Sequence, residues 1–293
     1  YDLPEFAAFP LIGRADGNAT LREYFATYAE IARRHQVGLV LESATWRASG
    51  AWADKLGYTP QALAKANHAA IALLESVRAD HETLDAPMVI SGCIGPRGDG
   101  YQIDTKMTVD EATRYHAIQC NTFAETSADL VTAITMTYAE EAAGLAIAAK
   151  DTGMPVVISF TTETDGRLPS GQTIEAAINE VDARTDNAPA YYMINCAHPT
   201  HFQGALEAGA AWTRRIKGIR ANASTKSHTE LDEATELDEG CPVELGAHFR
   251  ALRSRYPHLN VLGGCCGTDH RHIQEICEAC QPAVERLLCD TLH

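Results

Sequence analysis

Residues 260–268 have the sequence NVLGGCCGT, and this stretch decides how the rest of the chain is interpreted. Its apolar start is typical of a short buried strand, and the glycines after it predict a turn. Neighbouring side chains of a strand point to opposite faces, so Cys265 and Cys266 can converge only where the backbone leaves strand geometry. Gly263, Gly264 and Gly267 supply that freedom. Two thiolates on one side of a turn would make half of a tetrahedral zinc site.

A third thiol is available at Cys196, which ends another apolar run, residues 192–196. Zinc with three thiolate ligands keeps a fourth position open, and a substrate thiol bound there would lose its proton at neutral pH. The alternative for Cys265 and Cys266 is a pair of small buried hydrophobic residues. Three flanking glycines would have no purpose in a plain core strand, so we favour the metal site.

The composition excludes several classes of protein. The chain has 293 residues, of which 45% are hydrophobic, and a formal net charge of −15. This length suits one domain over residues 1–293. An acidic surface repels phosphates, so we expect neither nucleic acid nor a membrane as a partner. The sequence also has no apolar run of the ~18–20 residues that a membrane span needs.

Nine cysteines are too few for a disulfide scaffold in a chain of this length, and the number is odd. The first residues show no signal peptide. We therefore expect a reducing, cytoplasmic environment in which the cysteines do thiol or metal chemistry. The sequence leaves the oligomeric state open, and a homo-oligomer is compatible with it.

Strand-like and helical segments alternate along the chain. We predict strands at residues 38–45, 87–93, 129–135, 155–161, 191–196, 216–221 and 260–264. We predict helices at residues 21–35, 60–78, 109–126, 138–150, 174–183, 201–208, 243–255 and 272–288. Apolar strands with helical spacers predict a parallel sheet that is covered on both faces. The polar and acidic residues 224–239 are predicted to form a surface loop.

This alternation favours a (β/α)8 barrel, which needs eight strands. Because the given sequence opens on a helix, we expect a first strand before Tyr1 that the sequence does not include. The alternative is an open, doubly wound sheet of seven strands, but no GxGxxG fingerprint follows an early strand. Functional groups of barrels gather at the C-terminal ends of the strands, where Cys196, Cys265 and Cys266 all lie.

The GGCCGT motif, together with Asn195, Cys196 and Pro199 in the pattern N-C-x-x-P, resembles the homocysteine S-methyltransferase family over residues 38–277. The resemblance implies Zn²⁺ on Cys196, Cys265 and Cys266, with Asn195 at the substrate site and no catalytic residue besides the metal-activated substrate thiol. It also implies two small-molecule substrates. One is an onium methyl donor of the betaine, S-methylmethionine or S-adenosylmethionine type. The other is the thiol of homocysteine or a related compound, which is converted to methionine or a related thioether (EC 2.1.1 class).

The sequence departs from this family at the acceptor site. Members carry a glutamate in a pattern like F-E-T that helps to hold the amino group of homocysteine, and Ile134 stands there in this chain. Glu42 is our candidate to replace that acid, and the alternative is a buried acid paired with an arginine. Glu163 is a second candidate, for which a solvated loop acid is the alternative.

A cationic methyl donor would be attracted to aromatic faces. Trp46 and Tyr101 each follow a predicted strand, so both are candidates for this contact, with plain packing as the alternative. Two other functions stay open at this point. One is a zinc hydrolase that activates water, and the other is a non-catalytic zinc- or thiol-binding barrel.

Overall fold

The computed structural model describes residues 1–207 and 209–281 as alternating strands and helices. The strands are β1 (Leu39–Glu42), β2 (Met88–Ile94), β3 (Leu130–Met136), β4 (Val156–Thr161), β5 (Pro189–Asn195), β6 (Ile216–Ala221) and β7 (Val261–Gly264). The helices are α1 (Ala15–His35), α2 (Gly50–Lys55), α3 (Pro60–His81), α4 (Val109–Ala124), α5 (Ala139–Asp151), α6 (Ile174–Thr185), α7 (Pro199–Phe202), α8 (His228–Asp232), α9 (Pro242–Arg255) and α10 (His270–Cys280). Three short 3-10 helices complete these elements: Pro4–Phe6, Phe9–Gly13 and Ala211–Arg215.

All seven predicted strands are present, each within a few residues of its predicted bounds. They form one parallel sheet in the order β1-β2-β3-β4-β5-β6-β7. A doubly wound sheet reverses its strand order part-way, so the sequential order rules out that alternative. The fold is an α/β fold with a parallel sheet, as the sequence predicted.

The sheet is curled, with its C-terminal strand ends around a common mouth. The Asn195 side chain on β5 accepts a hydrogen bond from the Thr135 backbone N–H on β3, with 3.0 Å between the atoms. Strands separated by one neighbour would lie roughly 10 Å apart in a flat sheet, too far for an asparagine to bridge. This arrangement is that of a partial barrel.

The curled sheet separates two apolar layers. The large core lies between the sheet and the helices, where it includes Leu41, Ile90 and Ile219. The inner face carries a smaller cluster, Cys93, Ile134, Val157 and Met193. Because side chains alternate along a strand, Glu42 next to Leu41 and Arg220 next to Ile219 face the interior of the barrel.

The helices begin where the sequence provides caps. Thr108 and Glu111 form a capping box at α4, and Thr59 caps α3, whose first residue is Pro60. Such pairs satisfy the free N–H groups of a first helical turn. Among the described helices, none is long and apolar enough to cross a membrane.

One helix prediction needs correction, and a second is tested only in part. The predicted helix at residues 201–208 is wrong, since the structure has only the single turn Pro199–Phe202 and then further turns. Gly204 lies within that stretch and lowers its helix propensity. The last helix begins at His270, and the predicted continuation through residues 282–288 lies outside the described residues.

β1 and β7 form the two edges of the sheet, and no strand of the described residues joins them. In the outer layer, α1 packs against both α3 and α10. The described chain therefore supplies seven strands of the predicted eight, and it does not test whether another strand exists.

Candidate metal centre

Cys265 and Cys266 follow directly after β7, in the turn that the sequence predicted. The role of the glycines differs from the prediction. Gly263 and Gly264 are the last residues of β7, and a side chain on Gly264 would collide with Thr268. Gly267 is the residue that needs glycine's freedom, because its φ is +76° and a Cβ there would press against the Asp238 carbonyl.

Three consecutive residues at the end of β6 hold the backbone of the three cysteines. The Cys196 N–H donates to the Arg220 carbonyl at 3.1 Å, and the Cys265 N–H donates to the Ala221 carbonyl at 2.8 Å. The Cys266 N–H donates to the side-chain oxygen of Asn222 at 3.1 Å. The order of β5, β6 and β7 thus brings thiols that lie about 70 positions apart in sequence to one place.

The three sulfur atoms all lie within 4.8 Å of one another. Cys196 and Cys265 are joined by a disulfide, with Cα atoms 5.4 Å apart, and Cys266 Sγ is 4.0 Å from Cys196 Sγ. Sulfurs bound tetrahedrally to zinc at ~2.3 Å would be separated by about 3.8 Å. The donor set and its spacing therefore fit a metal once the disulfide is reduced to two thiols. It is the only such cluster of His, Cys, Asp or Glu among the described residues.

Tyr101, His228 and Glu163 surround the thiols. The Tyr101 hydroxyl is 3.6 Å from Cys266 Sγ, and its ring packs on His228 with centroids 4.2 Å apart. His228 Nε2 is 2.6 Å from the Cys196 carbonyl oxygen, and its Nδ1 is 3.4 Å from Glu163 Oε1. Burial raises the pKa of Tyr101 and the neighbouring Cys266 sulfur raises it further, so its hydroxyl stays protonated and can donate to sulfur.

His228 lies in residues 224–239, which the sequence predicted to be a surface loop. That prediction is wrong for this part, since the segment folds into α8 and turns His228 toward the thiols. Burial lowers the pKa of His228, but the Glu163 carboxylate and the Cys196 carbonyl outweigh burial, and the net shift is upward. Glu163 likewise faces this histidine and is not a plain solvated acid.

Comparison with known proteins supports the interpretation of this cysteine cluster. A family model described as homocysteine S-methyltransferase matches residues 15–280, which is most of the chain. The chain belongs to the homocysteine S-methyltransferase family. It is therefore a methyltransferase, and neither the hydrolase nor the non-catalytic barrel is supported.

Solved structures of the homocysteine methyltransferase MmuM from Escherichia coli share the fold. The metallated form aligns with a TM-score of 0.74 at 15% identity, covering 92% of this chain and 87% of MmuM. The oxidized form gives a TM-score of 0.73 at 16% identity, covering 93% of this chain and 87% of MmuM. The apo form gives a TM-score of 0.62 at 15% identity, covering 87% of this chain and 84% of MmuM. At this identity the likeness establishes the fold alone.

Asn195 is fully buried and directly precedes Cys196 in the sequence. Its side-chain oxygen accepts hydrogen bonds from Ser159 Oγ at 2.6 Å and from the Thr135 N–H, and its side-chain nitrogen donates to Thr135 Oγ1 at 2.8 Å. Thr135 has a φ of +67°, which a threonine adopts only under constraint. Asn195 thus braces a strained strand end, and a direct contact with substrate stays a prediction.

Trp46 lies at the mouth of the barrel with one ring face already covered. The Arg47 guanidinium lies 3.8 Å from the Trp46 ring centroid, and the indole N–H donates to the Ile134 carbonyl at 3.1 Å. Burial lowers the pKa of Arg47 to about 10, so this side chain remains a cation at neutral pH. The Trp46 ring also packs against the inner apolar cluster and is partly buried, so only its exposed part is left for the predicted donor contact.

Glu42 faces the barrel interior, and its Oε2 is shielded from solvent without a hydrogen-bond partner among the described residues. Burial raises the pKa of the Glu42 carboxyl, and the positive charge of Arg220 acts in the opposite direction. Ile134, which we expect to replace the glutamate of the family, is buried in the inner apolar cluster.

Sequence analysis missed His228 and Arg220 as candidates. Arg220 is a charged residue in the otherwise apolar end of β6, between the strands that lead to the cysteines, and that position was a usable signal. His228 had no comparable signal, because its position depends on how an acidic segment folds back over the mouth.

Proposed function

We propose that this protein transfers a methyl group from a small onium donor to the thiol of homocysteine or a closely related amino acid. The observation that supports this most strongly is the meeting of Cys196, Cys265 and Cys266 at the strand ends of a chain from this family. The sequence of the chain does not specify whether the donor is a sulfonium or a quaternary ammonium compound.

Cys196, Cys265 and Cys266 would hold Zn²⁺ in their reduced form. When bound, zinc would lower the pKa of the acceptor thiol so that it reacts as a thiolate. The acceptor sulfur attacks the methyl carbon in line, and the bond between this carbon and the onium sulfur or nitrogen breaks. The donor leaves with the bonding electron pair as a neutral molecule, and the thiol proton passes to solvent.

Protein side chains would hold the two substrates in this geometry. The Tyr101 hydroxyl can donate a hydrogen bond to Cys266 sulfur, and the packed Tyr101 and His228 rings cover the thiols on one side. The exposed part of the Trp46 ring would provide an aromatic surface for a methyl-onium group. Desolvating both reactants in such a site favours a reaction in which a cation and an anion neutralise each other.

Glu42 and Arg220 form the part of the site that would recognise an amino acid. A free amino acid presents an ammonium and a carboxylate group, and these side chains carry the complementary charges on the inner face of the barrel. The unpartnered Oε2 of Glu42 supports this role, because burying a carboxylate without a partner is costly unless a ligand supplies one. Glu163 is the weaker candidate, since it already contacts His228.

An eighth parallel strand would join the open edges of β1 and β7 and complete the barrel. The contact between α1 and α10 supports this part of the proposal, because helices next to each other in a closed barrel pack in the same way.

The function is tested with reduced, zinc-loaded protein, homocysteine, and a donor that carries a deuterated methyl group, in the S-methylmethionine, S-adenosylmethionine and betaine series. We expect methionine that carries the label with at least one donor. Cys266→Ala should lose both turnover and zinc, whereas Cys241→Ala, which alters an exposed cysteine away from the cluster, should retain both. Absence of labelled methionine with every donor would overturn the proposal.

A further inference from the structure

The carbonyl group of Cys196 is held by a side chain from another loop. Cys196 has a φ of +52°, in the left-handed region that residues with a Cβ rarely adopt. Such a conformation persists only where surrounding contacts fix it. The Cys196 N–H is fixed by β6, and the bond from His228 fixes the other side of the same residue.

The hydrogen-bond partners of His228 define its orientation. A carbonyl oxygen and a carboxylate oxygen only accept hydrogen bonds, so Nε2–H donates to the Cys196 carbonyl and Nδ1–H is the group that faces Glu163 Oε1. Glu163 Oε1 lies beside Nδ1, and the Tyr101 ring packs on the imidazole face. The imidazole is therefore held on its edge by Glu163 and on its face by Tyr101, with Nε2 directed at the cysteine backbone.

We infer that His228, oriented by Glu163, is a positioning residue that keeps Cys196 in its left-handed turn and so aims the Cys196 thiolate at the metal. This inference rests on the proposed zinc site. His228 contacts the backbone of Cys196, so it acts through that ligand. Partners that orient a metal ligand in this way commonly change metal affinity when they are removed, as residues outside the ligand set do in other zinc proteins.

The inference also gives Glu163 a role other than acceptor binding. Its carboxylate lies next to the imidazole edge, and its own backbone is fixed in the turn after β4 by bonds to Arg167 and Gly166. Loss of Glu163 would free the imidazole to rotate and would weaken the bond to Cys196. Zinc affinity, and not the KM for the acceptor, should then be the quantity that changes first.

The test compares zinc dissociation constants, measured by chelator competition on reduced protein, for a set of variants at one position. His228→Phe keeps a ring on Tyr101 but removes the donor, and we expect zinc affinity to fall by about 10- to 100-fold. His228→Gln places an amide N–H near the position of Nε2 and should stay within about threefold of the wild type. His228→Asn places its amide near Nδ1 and should resemble His228→Phe. The thiolate-to-metal absorption of the cobalt-substituted protein should weaken in the same two variants.

His201→Phe is the matched control, because His201 Nε2 also bonds a backbone carbonyl, that of Thr225, at 2.8 Å. We expect it to leave zinc affinity unchanged. Equal affinity of folded His228→Phe and the wild type would overturn the inference while leaving the zinc site intact. If His228→Phe does not fold, equal zinc affinities of the Gln and Asn variants would overturn it. Absence of zinc binding by the wild type would instead overturn the proposed function.

Discussion

At the residue scale, backbone contacts position the thiols. The three cysteine N–H groups bond to Arg220, Ala221 and Asn222, so one strand end acts as the template for residues from two other strands. Around this template, the chain places an aromatic pair and a buried carboxylate. The two proposed substrate contacts, Glu42 for the acceptor and Trp46 for the donor, can be tested separately because they concern different substrates.

Glu42→Gln tests the acceptor site. Loss of a charge-assisted hydrogen bond of about 1.5–3 kcal/mol to the acceptor ammonium should raise the acceptor KM by about 10- to 100-fold. Thermal stability should change little, because the substitution keeps the shape of the side chain and removes a carboxyl whose Oε2 has no hydrogen-bond partner among the described residues. The measurement is steady-state kinetics with homocysteine varied at saturating donor.

Glu163→Gln serves as the comparison, since we expect its acceptor KM to stay near the wild-type value. An unchanged KM in Glu42→Gln would contradict the assignment of the acceptor ammonium to Glu42.

Trp46→Leu tests the donor site. An apolar side chain without a π face should raise the donor KM by roughly tenfold, as expected for loss of one desolvated cation–π contact of ~1–2 kcal/mol. Zinc content should stay the same. The variant should also melt at a lower temperature, because it loses the bond to the Ile134 carbonyl and the stacking of Arg47.

Trp212→Leu provides a control for that loss of stability, because Trp212 is buried outside the mouth. If Trp46→Leu has a normal donor KM, Trp46 contributes only packing.

At the element scale, a buried hydrogen bond between a histidine and a glutamate anchors the loop that carries Tyr101. His116 on α4 and Glu141 on α5 are both almost fully buried, with 3.0 Å between Nε2 and Oε1. Glu141 Oε1 also accepts the Arg97 N–H at 2.8 Å, at the base of the loop that leads to Tyr101. This pair links two helices of the outer layer to the mouth of the barrel.

The stability of this link should depend on pH. Burial raises the pKa of Glu141, but the bonds from His116 and the Arg97 N–H lower it more, so the net shift is below its usual 4.5. As the pH falls, Glu141 therefore takes up a proton at a higher pH in the unfolded chain than in the folded protein. The contribution of Glu141 to the free energy of unfolding is present above pH 4.5 and is lost progressively below it. The free energy of unfolding, measured with urea between pH 7 and 3, should fall less steeply toward acid pH in Glu141→Gln than in the wild type. Parallel pH profiles would contradict this role of Glu141.

At the scale of the whole molecule, the parallel α/β fold and the cysteine cluster were predictable. Both depend on patterns local to the sequence: apolar strand runs, and cysteines placed where strands end. The contacts of His228 were not predictable, because they depend on which loops meet across the mouth. The helix prediction at residues 201–208 was wrong for a local reason, because a turn that contains Gly204 takes the place of the expected helix.

Among the strands of residues 1–207 and 209–281, none joins β1 to β7, and this open edge matters at the scale of the whole molecule. On its outer side, α1 and α10 line a groove of about 720 Å³. On its inner side lie Glu42 and Arg220, so a strand that closed this edge would also shape the floor of the acceptor site. The edge therefore connects completion of the barrel with recognition of the substrate.

The central claim is that three thiolates hold zinc and leave one position for the substrate thiol. X-ray absorption at the zinc edge, on reduced protein with and without homocysteine, tests it most directly. We predict three sulfurs at ~2.3 Å plus one lighter atom in the free protein, and four sulfurs once homocysteine is added. Zinc with fewer than three sulfur ligands, or a sulfur count that homocysteine does not change, would contradict the account.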